Sequence, residues 1–182
     1  MKGVFQLRRI RFTVLAAMVL VMVLLLSSCG LAGRNQPGDD KSRLVHKEVK
    51  LYFSDQDGYL EVEKRTVEAE TKSGIPEATI KALINGPKGS ELSRTLPTGT
   101  ELLDLNIKDG IARANFSEEL QVNHWGGSLG ESLTVYSIVN TLTQFDEINA
   151  VEILINGKKI ESLVGHLDLT RPVAPNESIV RE

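Results

Sequence analysis

Residues 101–116, ELLDLNIKDGIARANF, contain two apolar segments joined by a turn signal. Apolar side chains recur on both sides of Asp109-Gly110, a dipeptide that favours the two-residue turn of a β-hairpin. The sequence therefore predicts two antiparallel strands, residues 101–107 and 111–116. A hairpin at this position indicates that the sheet of this chain is antiparallel or mixed.

Further strands and helices are predicted on both sides of this hairpin. Pro76 suits the first turn of a helix, and Asn85-Gly86-Pro87 is a signal that ends one. The predicted strands are residues 49–53, 59–67, 151–155 and 158–160, and the predicted helices are residues 76–85 and 129–145. Interleaved strands and helices of this kind predict an α+β fold, a small mixed or antiparallel sheet with two helices packed on one face.

The first 28 residues have the pattern of a secretory signal. Basic residues lie between Lys2 and Arg11, and residues 12–26 contain no charge. A helix needs about 20 apolar residues to cross the hydrocarbon core of a bilayer, so this run is short for a permanent span. It suits the apolar region of a signal peptide, which predicts that residues 1–28 are removed.

The only cysteine of the chain, Cys29, follows Leu26-Ser27-Ser28. This arrangement resembles a bacterial lipobox, which predicts that Cys29 is lipidated and anchors the chain to the outer face of the cytoplasmic membrane. The alternative is an uncleaved anchor with an incidental cysteine. Residues 29–45 are rich in Gly, Asp and Asn and lack an apolar period, so they are predicted to be the lipidated Cys and a flexible tether.

The charge of the remaining chain argues against nucleic acid as a partner. Four of the 21 basic residues and none of the 24 acidic residues lie in residues 1–28, which leaves 17 basic against 24 acidic side chains. Binding to nucleic acid depends on Lys and Arg that neutralise phosphates. We therefore expect no nucleic-acid partner.

One segment matches a catalytic pattern. Gly126-Gly127-Ser128-Leu129-Gly130 fits G-x-S-x-G, and Asp146 and His166 follow in the order of a hydrolase triad. The residues before Ser128 are polar, however, whereas a nucleophile elbow follows a buried strand. Ser128 and Glu131 also fit the S-x-x-E capping box, and the sequence favours that helix cap over catalysis.

Metal and cofactor sites are not predicted. Asp55-Gln56-Asp57-Gly58 suggests a calcium loop, but position twelve of such a loop would be Lys64. The three histidines are far apart in sequence, without the spacing of a zinc site. Asp55 to Gly58 is therefore predicted to be a turn, and we expect neither metal nor cofactor.

Trp125 and His124 are the candidate partner-binding residues. Trp125 is the only tryptophan, and it lies between His124 and two glycines in a predicted loop. A tryptophan in such a loop fits either a plug for the core or an exposed recognition residue.

Several segments, in their order along the chain, resemble the GerMN domain family of sporulation and spore germination. The matching segments are VKLYF (49–53), RTV (65–67), ALINGP (82–87), LPTGT (96–100), the Asp109-Gly110 hairpin with ANFS (114–117), GS (127–128), VNTL (139–142), VEILING (151–157) and DLTRP (168–172). The resemblance covers about residues 47–172. It implies a non-enzymatic module similar to ring-building domains, with envelope or sporulation-complex proteins as partners and no small-molecule substrate. The family's namesake carries two copies of the domain, whereas this sequence carries one.

The chain is thus divided into a signal (1–28), a lipidated Cys and tether (29–45), a GerMN-like domain (46–172) and a polar tail (173–182) that we expect to be frayed. The leading hypothesis is a membrane-anchored, non-catalytic interaction module in sporulation or germination. The alternatives are an accessory protein or enzyme of peptidoglycan remodelling and a lipoprotein that binds a small ligand.

Overall fold

The computed structural model describes residues 44–181. The predicted signal, Cys29 and nearly all of the predicted tether lie outside the described residues. The described part contains six strands and three α-helices: β1 (Val45–Ser54), β2 (Leu60–Ala69), α1 (Ile75–Ile84), β3 (Leu102–Lys108), β4 (Ile111–Phe116), α2 (Glu119–Val122), α3 (Ser128–Thr143), β5 (Ala150–Ile155) and β6 (Lys158–Lys159).

The α+β class is confirmed, with the strands divided between two sheets instead of one. Strands β1 and β2 form an antiparallel pair, and the second sheet has the order β3-β4-β5-β6 with β4 parallel to β5. The outer edge of β1 is closed without another strand. Ser93 exchanges two backbone hydrogen bonds with Ser54, and the side-chain amide of Gln144 forms two with the backbone of Lys50. These contacts explain why the first sheet stops at two strands.

Helix α3 lies between the two sheets and packs on both β1 and β5. Leu133, Ile138, Val139 and Leu142 of this helix and Phe145 just after it are buried, and Tyr136 is half-buried. Most of the circumference of the helix is buried, including several threonine and serine side chains. A helix covered on several sides is expected to be buried in this way. Helix α1 packs on β1, β2 and α3, so the helices and both sheets share one core.

The predicted hairpin turn at Asp109-Gly110 is confirmed, and Asn156-Gly157 forms a second turn of the same kind. Asp109 and Gly110 have φ values of 53° and 78°, and Asn156 and Gly157 have 47° and 75°. Positive φ at both central residues is the requirement of a type I′ turn. At Gly110 a β-carbon would lie 2.6 Å from Nδ2 of Asn149, so the close approach of this chain segment also requires glycine.

The expectation of a frayed tail is wrong, because the tail packs along the molecule. Val173 exchanges two backbone hydrogen bonds with Val151 of β5. Further along, the backbone of Asn176 forms two hydrogen bonds, both 3.0 Å, with the side-chain amide of Asn140 in α3. Val180 then forms a parallel bridge with Leu60 at the start of β2. The tail therefore connects the second sheet, α3 and the first sheet.

Candidate functional site

The loop between α2 and α3, residues 123–127, carries both candidate residues. It contains two consecutive glycines, Gly126 and Gly127, each with a φ of 80°. Residues with side chains rarely adopt this conformation, so the two glycines determine how the chain turns into α3. The loop leaves His124 partly buried and Trp125 exposed.

The imidazole ring of His124 is held between two hydrogen-bond partners. The backbone N–H of Gly126 donates to its Nδ1 at 2.9 Å, and its Nε2 lies 3.1 Å from Oγ1 of Thr134. The Thr134 hydroxyl donates its own hydrogen to the carbonyl of Thr95 at 2.6 Å, so it accepts one from Nε2. Both contacts require the neutral ring that carries its hydrogen on Nε2.

The surroundings of His124 also favour the neutral form. Burial lowers the pKa of His124, and the negative charge of Glu131, which acts in the opposite direction, only partly offsets this effect. The ring is therefore neutral at neutral pH and supports the loop as a fixed structural part.

Trp125 lies at the surface instead of plugging the core. Its side chain is 53% exposed, and its indole ring stacks on His124 with the ring centres 5.0 Å apart. A β-carbon at Gly130 would lie 2.6 Å from the indole Nε1, so the absence of a side chain at residue 130 makes room for the ring. His124 and Gly130 thus hold an exposed aromatic ring in a defined position.

Other exposed apolar residues accompany this ring. Six large apolar side chains are exposed in the described part of the chain, and four of them lie on α2, the loop that follows it, the start of α3 or the β1–β2 turn. Leu129 packs over Gly58 of that turn, which brings α3 next to Tyr59. We call the four residues the Trp125 surface: Tyr59, Val122, Trp125 and Leu129.

Trp125 and His124 were recognisable from the sequence, whereas the other members of this surface were not. Val122 and Trp125 are apolar residues in the otherwise polar segment QVNHW, and that contrast is the signal that would have identified Val122. Tyr59 and Leu129 are the first residues of a predicted strand and a predicted helix, and their grouping depends on a contact between segments about 70 residues apart.

The predicted capping box is wrong. Helix α3 begins at Ser128 after Gly127, and no side chain caps it. The Glu131 carboxylate is fully buried and accepts three backbone N–H groups from a distant loop, those of Leu163, Val164 and His166, at 2.7–3.2 Å. Glu131 therefore attaches the loop of residues 163–166 to α3.

The hydrolase pattern does not assemble into a triad. Ser128 starts α3 and Asp146 follows its end, so the two are separated by about 24 Å at 1.5 Å per residue. The prediction of a turn at Asp55 to Gly58 is supported: the Asp55 carboxylate accepts the backbone N–H groups of Asp57 and Tyr59. Arg181 lies beside the same carboxylate at 3.0 Å.

Within residues 44–181, His, Asp and Glu side chains form no cluster suited to a metal ion. The helices of this part are too short or too polar to cross a membrane. The described chain offers an exposed apolar surface whose tryptophan stacks on a hydrogen-bonded histidine.

These features define a class of protein, a small α+β domain in which two sheets enclose a central helix and an aromatic surface is exposed at one end. The model of the family Germane: Sporulation and spore germination matches residues 50–161, and the chain belongs to this family. The match spans most of the described domain and ends before the tail.

Similar proteins agree with this assignment. The spore germination protein GerM of Bacillus subtilis is 31% identical over 131 residues, which cover 69% of this chain and 34% of GerM. The chain thus spans about a third of that relative. The crystal structure of a proposed lipoprotein from Clostridium perfringens is 30% identical with a TM-score of 0.54 and covers 74% of this chain and 89% of that one. The first GerMN domain of B. subtilis GerM is 27% identical with a TM-score of 0.57, and coverage is 70% and 97%.

Proposed function

We propose that this chain is a lipid-anchored, non-catalytic interaction module that acts in sporulation or spore germination on the outer face of the cytoplasmic membrane. Membership of the Germane family supports the process. The signal-like segment and Cys29, together with the similarity to a proposed lipoprotein of C. perfringens, support the anchor. The partner is an envelope or sporulation-complex protein.

The Trp125 surface is the partner-binding surface in this proposal. The observation that carries it is an exposed tryptophan held on a fixed base by His124 and Gly130. Tryptophan is enriched among the residues that contribute most to protein–protein binding, and exposed apolar residues grouped in one region indicate an interaction site. His124 positions the ring and does not itself need to contact the partner.

The anchor can be tested by cell fractionation. Cys29→Ala removes the acceptor of the lipid, which is the attachment to the bilayer in this proposal. We expect wild-type chain in the membrane fraction and the Cys29→Ala chain either unprocessed or released from the outer face of the membrane. Extraction and radiolabelling with palmitate distinguish these forms. Equal lipid labelling of both chains would disprove lipidation at Cys29.

The interaction can be tested by crosslinking and pull-down through a sporulation time course in the native cells. We expect Trp125→Ala to reduce recovery of the partner roughly tenfold or more, as for a binding residue that contributes about 2 kcal/mol. Leu103→Ala is the matched control, because Leu103 is an exposed apolar residue of β3 outside the Trp125 surface. Recovery that is the same for wild type and Trp125→Ala would refute the proposed surface, and recovery of wall hydrolases throughout growth would favour peptidoglycan remodelling.

A further inference from the structure

Building on the proposed function, we propose that the Trp125 surface binds an apolar segment of the partner protein that is flanked by lysine or arginine. The surface has an apolar centre and an acidic surrounding, and the chain already shows how a basic side chain binds there.

The segments that build the Trp125 surface are acidic. Residues 54–62 and 114–131 contain six Asp and Glu residues and no Lys or Arg. Glu131 is buried and occupied by the loop of residues 163–166, so it does not contribute to the exterior. Glu118 is exposed and precedes Val122 by four residues, which places it beside Val122 on α2. Asp57 is exposed next to Gly58, over which Leu129 packs. Carboxylates therefore flank the apolar centre on two sides.

Arg181 of the tail shows how this surface accommodates a cation. Its guanidinium lies 4.6 Å from the ring centre of Tyr59, and its Nη1 is 2.6 Å from Oδ2 of Asp57. An aromatic face next to a carboxylate is a favourable place for a guanidinium. A partner that offers Arg or Lys beside apolar side chains would extend the same contacts across Glu118 and the exposed indole.

Two other occupants fit this surface less well. A second copy of the chain would bring an equally acidic surface, and like charges across an interface oppose binding. A membrane is disfavoured by position and by charge. Residue 44, where the described chain begins, lies at one end of β1, and the Trp125 surface lies beyond the other end, about 30 Å away at 3.3 Å per residue. Anionic lipid headgroups would also be repelled by Glu118, whereas Asp57 is already paired with Arg181.

The experiment uses the full chain in vesicles of zwitterionic lipid and two synthetic peptides. Both peptides have the same centre of leucine and phenylalanine, flanked by lysine and arginine in one and by glutamate in the other. The emission of Trp125, the only tryptophan, reports binding because the peptides contain none. We expect the basic peptide to bind roughly tenfold more tightly than the acidic one at low salt, with the difference shrinking as salt is added.

Charge reversal on the protein also tests the preference of the Trp125 surface for a basic peptide. Glu118→Lys should weaken the binding of the basic peptide roughly threefold to tenfold and strengthen the binding of the acidic peptide. Glu147→Lys is the control, since Glu147 is exposed beyond the opposite end of α3 and should change neither affinity. Equal binding of the two peptides, binding of neither, or equal effects of the two substitutions would overturn the inference. If any of these outcomes is seen while Trp125→Ala cells lose recovery of the partner, the proposed interaction function stands. Only the basic character of the partner is then refuted.

Discussion

At residue 131 a carboxylate replaces water as the partner of three backbone N–H groups. One oxygen of Glu131 accepts from Leu163 and Val164, and the other accepts from His166. A glutamine has nearly the same shape, but its NH2 group would face an N–H donor. We expect Glu131→Gln to lower the free energy of unfolding by about 2–4 kcal/mol, because it leaves a buried donor without an acceptor.

Urea unfolding measures this change. Glu147→Gln is the matched control, since that side chain is exposed and should change stability by less than about 0.5 kcal/mol. Amide exchange adds a local readout: the N–H groups of residues 163, 164 and 166 should lose protection first. Similar stabilities for the two variants would show that the carboxylate is not needed to hold this loop.

The neutral state of His124 gives a prediction on pH. Its pKa in the folded protein lies below the unfolded value, mainly because of burial, so the unfolded chain binds more protons at mildly acidic pH. The contribution of His124 to stability is therefore complete above about pH 6.5 and declines as the pH falls below that value. Protonation on Nδ1 also breaks the hydrogen bond from Gly126, so the emission of Trp125 should change once the folded protein protonates.

His124→Gln provides the comparison. The difference in unfolding free energy between wild type and this variant should depend on pH between about 5 and 7, whereas the other titrating groups cancel in the subtraction. A pH-independent difference, with unchanged Trp125 emission, would show that His124 does not titrate in this range.

For single residues, the sequence predicts the structural role correctly where the contacts that define it are near in the chain. Asp109-Gly110 was identifiable as a turn because its backbone geometry is a local property. Ser128 and Glu131 fit a local motif too, but the carboxylate instead binds a loop more than 30 residues further along. Nothing in a four-residue pattern indicates that a distant segment with three free N–H groups will compete for the same side chain.

At the scale of an element, α3 holds two neighbouring segments by amide side chains one turn apart. Asn140 binds the backbone of Asn176 in the tail, and Gln144 binds the backbone of Lys50 in β1, each through one donated and one accepted hydrogen bond. An amide side chain offers the same donor and acceptor pair as a peptide group. The helix thus provides, at two points, the contacts that a further strand would otherwise supply.

The tail should contribute measurably to stability. A chain that ends at Arg171 loses the pairing of Val173 with Val151, the contacts of Asn140, and the packing of Ile179 and Val180 near Leu60 and Tyr52. We expect its free energy of unfolding to fall by roughly 2–5 kcal/mol, from several hydrogen bonds and two partly buried side chains. Amide exchange at Val151 should also accelerate, because its N–H donates to Val173.

A chain that ends at Arg181 is the control for this truncation, and it should match the full-length protein. If both chains unfolded at the same urea concentration and Val151 stayed equally protected, the docked tail would have no energetic role. The tail was predicted to fray because it is polar and contains a proline; its anchoring residues, Val173, Asn176 and Val180, are spread over eight positions without a periodic pattern.

For the whole molecule, the α+β class and the order of elements follow from local patterns, and the arrangement of the sheets does not. Strands 49–53 and 59–67 were recognisable from alternation, but alternation does not say which strands pair. Their separation from β3 to β6 depends on how Ser93 and Gln144 close the edge of β1. In the candidate site, too, local patterns predict one part and the tertiary structure determines the rest. Trp125 was identifiable as a single unusual residue, whereas the surface around it requires the fold.

The position of β1 has a mechanical consequence. The chain enters the domain at the start of β1, and the Trp125 surface lies beyond the far end of the same strand. If the chain is held on its N-terminal side while a partner grips that surface, tension runs along β1, parallel to the strand. All the hydrogen bonds between β1 and β2 then resist together in shear, whereas a pull across the strands would open them one pair at a time. If the proposed anchor and partner are both in place, the load between them would thus act on the β1–β2 pairing in shear.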